Sequence, residues 1–588
     1  MSSALENPAE VAAQKALDRL YLCIDEGRSF LLEAGAGAGK TYSLISALQR
    51  LISHRGTDLI RHHQQIACIT FTNVAKDEIE SRTDRHGAVR SDTVHGFCWS
   101  VLKDFQPYLR ALLPTLEKWK APIEEAGGLG TRRVEYDLGY LRIEDQYVSI
   151  RHDDVLLLMA MALKVPKFRR LLTVRCPIIF IDEYQDTDAS FVQAIKEQFL
   201  DTGEGPLVGF FGDHWQKIYG TTGCGKVEHS ALEVIGKEAN FRSVPAVVAC
   251  LNRMRPELPQ MVRDPNAVGG VSVFHTNAWI GGRRTEAHWK GDTPEDVAHA
   301  YLELARGKLA SAGWDFSPAK TKILMLTHNV LAKEQGYPSI PGVFSSNDAF
   351  LKKEDPHIGF FADTLEPACA AYAGKRYGEM FAAFGSTVPA ITSHAAKVRW
   401  SQTMDGLLAV RDAESIGAVI DYIRNSNLLR VPEAIEDKER ELANWQPKPD
   451  EEEPGRLRRL RELRAVSYRE IIALDRYIDG HTPFATKHGV KGAEFENVLV
   501  VIGRGWNQYD FERMLVWGGT KGAVPKGKQE AFERSRNLFY VACSRPKTRL
   551  ALLFTQFLSN EALATLAEWF ETDSILALPQ SPTVAMNA

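Results

Sequence analysis

Ala34-Gly35-Ala36-Gly37-Ala38-Gly39-Lys40-Thr41 is the stretch on which the fold turns. It follows an apolar run, Phe30–Leu32, and opens a segment in which Leu44, Ile45, Leu48, Leu51 and Ile52 fall on one helical face. Strand, small-residue turn and helix form the setting of a phosphate-binding loop. Ala34, Gly35, Ala36, Gly37, Ala38 and Gly39 let backbone N–H groups close around phosphates. Lys40 would reach the β- and γ-phosphates of ATP, and the Thr41 hydroxyl would hold Mg²⁺. Ala34 stands where a leading glycine is usual.

Further strand-like runs lie at Gln65–Thr72, Pro177–Asp182 and Pro206–Gly212, with helical patterns between them. A second set lies at Lys322–Thr327, Asn497–Ile502 and Arg549–Phe554. Strands alternating with helices predict an α/β fold of parallel sheets. The run Ile178-Ile179-Phe180-Ile181-Asp182-Glu183 is a buried strand ending in two acids. Asp182 can hold Mg²⁺ there, and Glu183 can polarise an attacking water. From about 331 to 482 the pattern is largely helical. It includes a charge run, Asp450–Arg464, that reads either as a solvated helix face or as a contact surface for DNA or a partner.

Bulk properties constrain the class. The chain has 588 residues, 44% of them hydrophobic and 25% charged, which is ordinary globular composition for several domains. A net charge of −4 does not advertise a nucleic-acid coat, although binding follows local charge more than the sum. The eight cysteines include no C-x-x-C pair, which argues against a zinc or iron–sulfur centre and fits a cytoplasmic protein. The polar start and the absence of a long apolar run predict neither a signal peptide nor a membrane span.

The second motif continues as Asp182-Glu183-Tyr184-Gln185-Asp186-Thr187. With the small-residue loop it resembles the UvrD/Rep/PcrA-like DNA helicases of superfamily 1A. Other signatures of that family appear in order: Ile69–Asn73, Asp92–Phe97, Gly212–Gly220, Asn240–Ser243, Thr486–Phe495 and Arg536–Arg545. The resemblance implies two RecA-like P-loop domains with helical insertions 1B and 2B. Domain 1A would take 1–97 and 171–238, 1B 98–170, 2A 239–330 and 483–588, and 2B 331–482.

Residue roles follow position by position from the resemblance. Gln216 would sense the γ-phosphate, and Arg242 and Arg545 would stabilise charge on the transferring phosphoryl group. Glu494 would bind the ribose and Phe241 would stack on adenine. Tyr42, where the family often has arginine, would either complete an aromatic sandwich or pack its helix. Phe71, Thr72, Asn73, Thr93, His95, Thr486 and His488 would line a single-strand track, short polar groups on phosphates and Phe71 on a base. Thr221 occupies the place of the family's base-stacking tryptophan, so either Trp215 or Tyr219 would substitute or stepping would be weakly coupled; Trp215 reads equally well as a domain-packing residue.

The resemblance thus implies ATP hydrolysis with Mg²⁺, coupled to 3′ to 5′ movement along single-stranded DNA and at single/double-strand junctions. Two alternatives stand beside it: a translocase without robust unwinding, and a nucleotide-switched regulatory subunit of a nuclease or defence complex. The stretch from 546 to 588 is too short for a nuclease domain of the kind fused to some relatives. The chain therefore also resembles the helicase subunits of anti-phage systems of the Gabija type, in which a separate nuclease subunit is the expected partner.

Overall fold

The computed structural model describes residues 7–136, 141–218, 222–286, 289–325, 328–385, 391–426, 428–446, 452–480, 482–486, 492–503 and 508–582. Two six-stranded sheets organise the chain, and each is parallel throughout. The first runs, in spatial order, Val89–Thr93, Ile66–Thr70, Ile178–Asp182, Leu207–Gly212, Phe30–Ala34 and Glu233–Lys237. The second runs Phe484–Thr486, Thr321–Met325, Phe495–Ile502, Pro546–Phe554, Gly270–His275 and Ile575–Ala577. Sheet-and-helix layering of this kind is the predicted α/β class, two RecA-like domains with helical insertions.

Alternation along the strands shows why the sheets are buried on both faces. In the first, Phe30, Leu32, Cys68, Phe180 and Phe211 join one apolar cluster, while Leu31, Ile69, Ile179, Ile181 and Phe210 join another. In the second, Val498, Val500, Leu550 and Leu552 face one core, and Leu499, Ala551 and Leu553 the other. A side-chain period of two turns each continuous apolar run into two buried layers.

The predicted strands are present, with ends shifted by a few residues; the expected Lys322–Thr327 is observed as Thr321–Met325, and 326–327 lie outside the described residues. Edge strands Val89–Thr93 and Glu233–Lys237 were not foreseen. Their polar residues, Arg90, Asp92, Glu233 and Lys237, hide the apolar signal because an edge strand need not bury both faces.

Between the strands Val89–Thr93 and Ile178–Asp182 lie helices and a small three-stranded sheet, Arg133–Tyr136, Tyr147–Ile150 and Arg142–Ile143. From His328–Gln335 to Tyr468–Ile478 every regular element among the described residues is helical. There the charge run resolves. Helix Gly455–Ala465 buries Leu457, Leu460 and Leu463. Three of its five arginines pair within the same region: Arg456 with Glu441 at 2.5 Å, Arg461 with Glu453 at 2.9 Å and Arg464 with Asp421 at 2.7 Å. This favours the solvated-face reading over a free cationic surface.

Candidate functional site

The carboxyl ends of parallel strands are where open α/β sheets bind ligands. Along that edge of the first sheet stand, in order, Thr93 and His95, then Thr72 and Asn73, then Asp182 and Glu183, then Asp213 to Gln216, and finally the loop from Gly35 to Gly39. Residues more than a hundred apart in sequence thus become neighbours through strand order alone.

The loop is built for close approach. Gly37 and Gly39 have φ of 76° and 73°, the left-handed region that favours glycine. A Cβ on Gly37 would lie 2.9 Å from Asn240 Oδ1. Gly39 precedes the 22-residue helix Lys40–Arg61 and has no side chain with which to cap it. The positive end of the helix dipole there favours an anion. Lys40 Nζ sits 2.5 Å from Glu183 Oε1 and 3.9 Å from Asp182 Oδ1. Burial opposes its charge, but Glu183 and then Asp182 hold the ammonium above its usual range. Glu183 has φ of 49°, strained for a non-glycine residue, and its carboxylate accepts from the Gln185 amide.

Gln216 donates its amide to Asp213 Oδ2 at 2.8 Å. The other Asp213 oxygen accepts from Trp215 N at 3.0 Å and from Arg255 Nη1 at 2.7 Å. Arg255, 1% exposed, also reaches Glu33 at 2.6 Å, and Glu33 pairs with His214. Glu33, Asp213 and His214 lie close enough together to hold a metal ion in principle. The Arg255 guanidinium already supplies the cation there, so the cluster is an ion-pair network. A buried pair that loses one partner costs about 3–5 kcal/mol. Arg255→Met is accordingly expected to lower the thermal unfolding midpoint by many degrees; an unchanged midpoint in a melting experiment would show that this network contributes nothing to stability.

The opposite wall comes from a separate two-stranded ladder, Ala239–Asn240 with Met261–Val262, and from the amino ends of the second-sheet strands Phe495–Ile502 and Pro546–Phe554. Phe241 N donates to Gly37 O at 2.9 Å, and the Asn240 and Gln260 amides both donate to Ala36 O at 3.1 Å. Arg242 Nη1 donates to Ser544 O at 3.0 Å, and its Nε lies 3.1 Å from Glu494 Oε2. Arg545 is 1% exposed and donates to Val541 O at 2.9 Å and to Ser544 Oγ at 2.9 Å. Burial, then the neighbouring Arg242, pushes its guanidinium below the usual range. Two arginines, a lysine and two acids thus gather around one glycine loop.

Aromatic positions divide. Tyr42 is 57% exposed, not packed into its helix, and its Cβ and the Phe241 ring both flank Gly39. Trp215 requires a correction: it is 6% exposed, lies under Arg536 at 3.9 Å and Arg255 at 5.2 Å, and meets Tyr540 edge-on at 5.3 Å. That is the domain-packing alternative; a ring so enclosed offers no face to a base. Glu494 pairs with Arg242 and, at 2.7 Å, with Lys547, which places it beside the arginine pair.

On the outer part of the edge, Phe71 is 43% exposed, and Thr72 and Asn73 are exposed beside it. Thr72 and Thr93 cap the helices that follow them, accepting from Ala75 N and Gly96 N. His95 stacks on His152 at 3.3 Å. Burial, then His152, pushes its pKa down to about 4, so near neutral pH the ring carries no charge. Tyr219, Thr221 and His488 lie outside the described residues, and of Thr486 only its place in the strand is described.

Sequence reasoning missed several participants. Lys237 is fully buried and donates to Gly39 O at 2.9 Å and Ser43 Oγ at 2.7 Å; burial lowers its pKa to about 8. Arg255 and Gln260 carry no local motif that would single them out. Gln185 and Asn240 stood within quoted signatures, but without a role.

Residues 11–222 match a family model described as an AAA domain. The chain is 23% identical to a Gabija protein GajB of Bacillus cereus (strain HuB5-5), across 92% of this chain and 95% of that protein. It is 24% identical to a GajB of Bacillus cereus (strain VD045), across 42% of this chain and 51% of that protein. The resemblance to UvrD-like helicases, and among them to a Gabija-type subunit, is borne out, and the chain carries a helicase-like P-loop domain. No helix among the described residues is long and apolar enough to cross a membrane.

Proposed function

We propose that this chain, similar along nearly its whole length to a Gabija protein, is a DNA-dependent ATPase that moves 3′ to 5′ along single-stranded DNA and opens junctions. One observation carries the reading: Lys40, Asp182, Glu183 and Gln216 on one wall face Arg242 and Arg545 on the other, with the glycine loop between them. A binding-only switch needs the loop; it does not need a paired acid and two arginines from the opposite wall.

The residues fit Mg²⁺-ATP. Gly35 to Thr41 would wrap the phosphates, and Thr41 and Asp182 would hold the ion, which neutralises charge developing on the phosphoryl oxygens. Lys40 would leave its pair with Glu183 for the phosphates. Glu183 would then be free to orient water. Gln216, held by Asp213, would report the γ-phosphate to the wall that carries Arg255. Tyr42 and Phe241 would flank the base.

Support for a DNA partner comes from the row Phe71, Thr72, Asn73 and Thr93 on the same edge. Phosphate contacts release counterions, so log affinity for an oligothymidylate is expected to fall linearly with log salt, by about 0.7 per phosphate neutralised. A flat salt response in anisotropy titrations would remove phosphate contacts from the account. The proposal as a whole is tested by strand displacement on partial duplexes. ATP-dependent opening with a 3′ single-stranded tail and none with a 5′ tail is expected. ATP hydrolysis without opening on either substrate would favour the translocase alternative and its separate nuclease partner.

A further inference from the structure

Beyond the edge of the first sheet, four rings from three elements form a ladder. His95 and Trp99 stand one turn apart on helix Val94–Leu102 and share a face. His152 opens helix His152–Leu163, and Tyr136 ends strand Arg133–Tyr136. His95 and His152 stack with centroids 3.3 Å apart and planes at 17°. Tyr136 lies 6.0 Å from His152 and hydrogen-bonds to its Nδ1, and Trp99 lies 5.9 Å from Tyr136.

These rings border the core without being enclosed by it. The same helix sends Val94, Phe97, Cys98 and Val101 inward, whereas Trp99 and Tyr136 pack against that cluster and stay half-buried, as does His95, and His152 is exposed. The ladder also begins where the candidate single-strand row ends, two residues after Thr93. We propose that Trp99, Tyr136 and His152, with His95, form a stacking platform that carries the bases of single-stranded DNA from the sheet edge across the insertion.

The chemistry favours bases over phosphates. Burial holds both histidines below their usual range, His95 most strongly, so near neutral pH the ladder presents uncharged rings. Uncharged rings accept any base by its π-face, as sequence-independent binding requires. Trp215 is enclosed, so the platform supplies aromatic faces that the buried ring does not.

The inference rests on the proposed DNA-dependent activity, and the test separates the two. Full-length protein is titrated against fluorescent oligothymidylate and against the same oligomer carrying abasic sites. Tyr136→Ala and His152→Ala are each expected to weaken binding to the intact oligomer by about five- to a hundredfold, the equivalent of one lost base stack. Both should bind the abasic oligomer nearly as the parent protein does. His152→Phe keeps a ring and should retain affinity, which guards against an effect of misfolding. Parent protein that binds no single strand would sink the functional reading. Normal affinity in both alanine variants, or an equal loss on intact and abasic oligomers, would overturn the platform alone.

Discussion

Arg545→Lys is expected to cut ATP turnover by about a thousandfold or more while changing ATP affinity little, the scale on which arginine fingers act. Arg545 is almost fully buried, and its guanidinium is held by Val541 O and Ser544 Oγ beside Arg242. In the proposed mechanism it would contribute when the phosphoryl group develops charge. Lysine would keep the charge but lose the planar fork that makes those contacts and aims the donor. Single-turnover phosphate release measured alongside nucleotide binding separates the two effects. Turnover in Arg545→Lys equal to that of the parent would show that the residue only ties the motif helix to its strand.

Lys40→Ala is the second large effect, with turnover expected to fall by about 10²–10³ or more, as when one preorganised donor to developing charge is removed. The lysine is the cation at the mouth of the glycine loop, and both neighbouring acids hold it charged. Removing it also leaves Glu183 and Asp182 to repel each other and the phosphates. Glu183→Gln separates the roles. The amide keeps the shape and removes the repulsion, so ATP should bind at least as tightly while hydrolysis is lost. Phosphate-release assays on the two variants check this; hydrolysis at the parental rate in Glu183→Gln would take the water-orienting role away from that residue.

Much of this was legible before the fold, for identifiable reasons. The loop from Ala34 to Thr41 and the run ending in Asp182-Glu183 are contiguous, so sequence alone displays their chemistry. Most inner strands announced themselves by apolar runs; Gly270–His275, broken by Ser272 and ending in His275, did not. Arg255 could not be found this way. It follows the helix Pro245–Met254 in an unremarkable basic stretch, and only strand order brings it to Glu33 and Asp213. Lys237 was hidden similarly, on an edge strand whose polar residues masked it. Trp215 shows the opposite failure: its position in a signature suggested a base stack, but the motif helix Gln529–Cys543 packs over it through Arg536 and Tyr540. Local sequence cannot register a partner supplied more than three hundred residues later.

Steady-state phosphate release with and without saturating single-stranded DNA, at fixed ATP and Mg²⁺, decides whether this chain is a DNA-dependent ATPase. Slow turnover alone and strong stimulation by the single strand are expected, with both lost in Lys40→Ala. ATP turnover that is unaffected by single-stranded DNA, or ATP binding with no turnover under either condition, would contradict it.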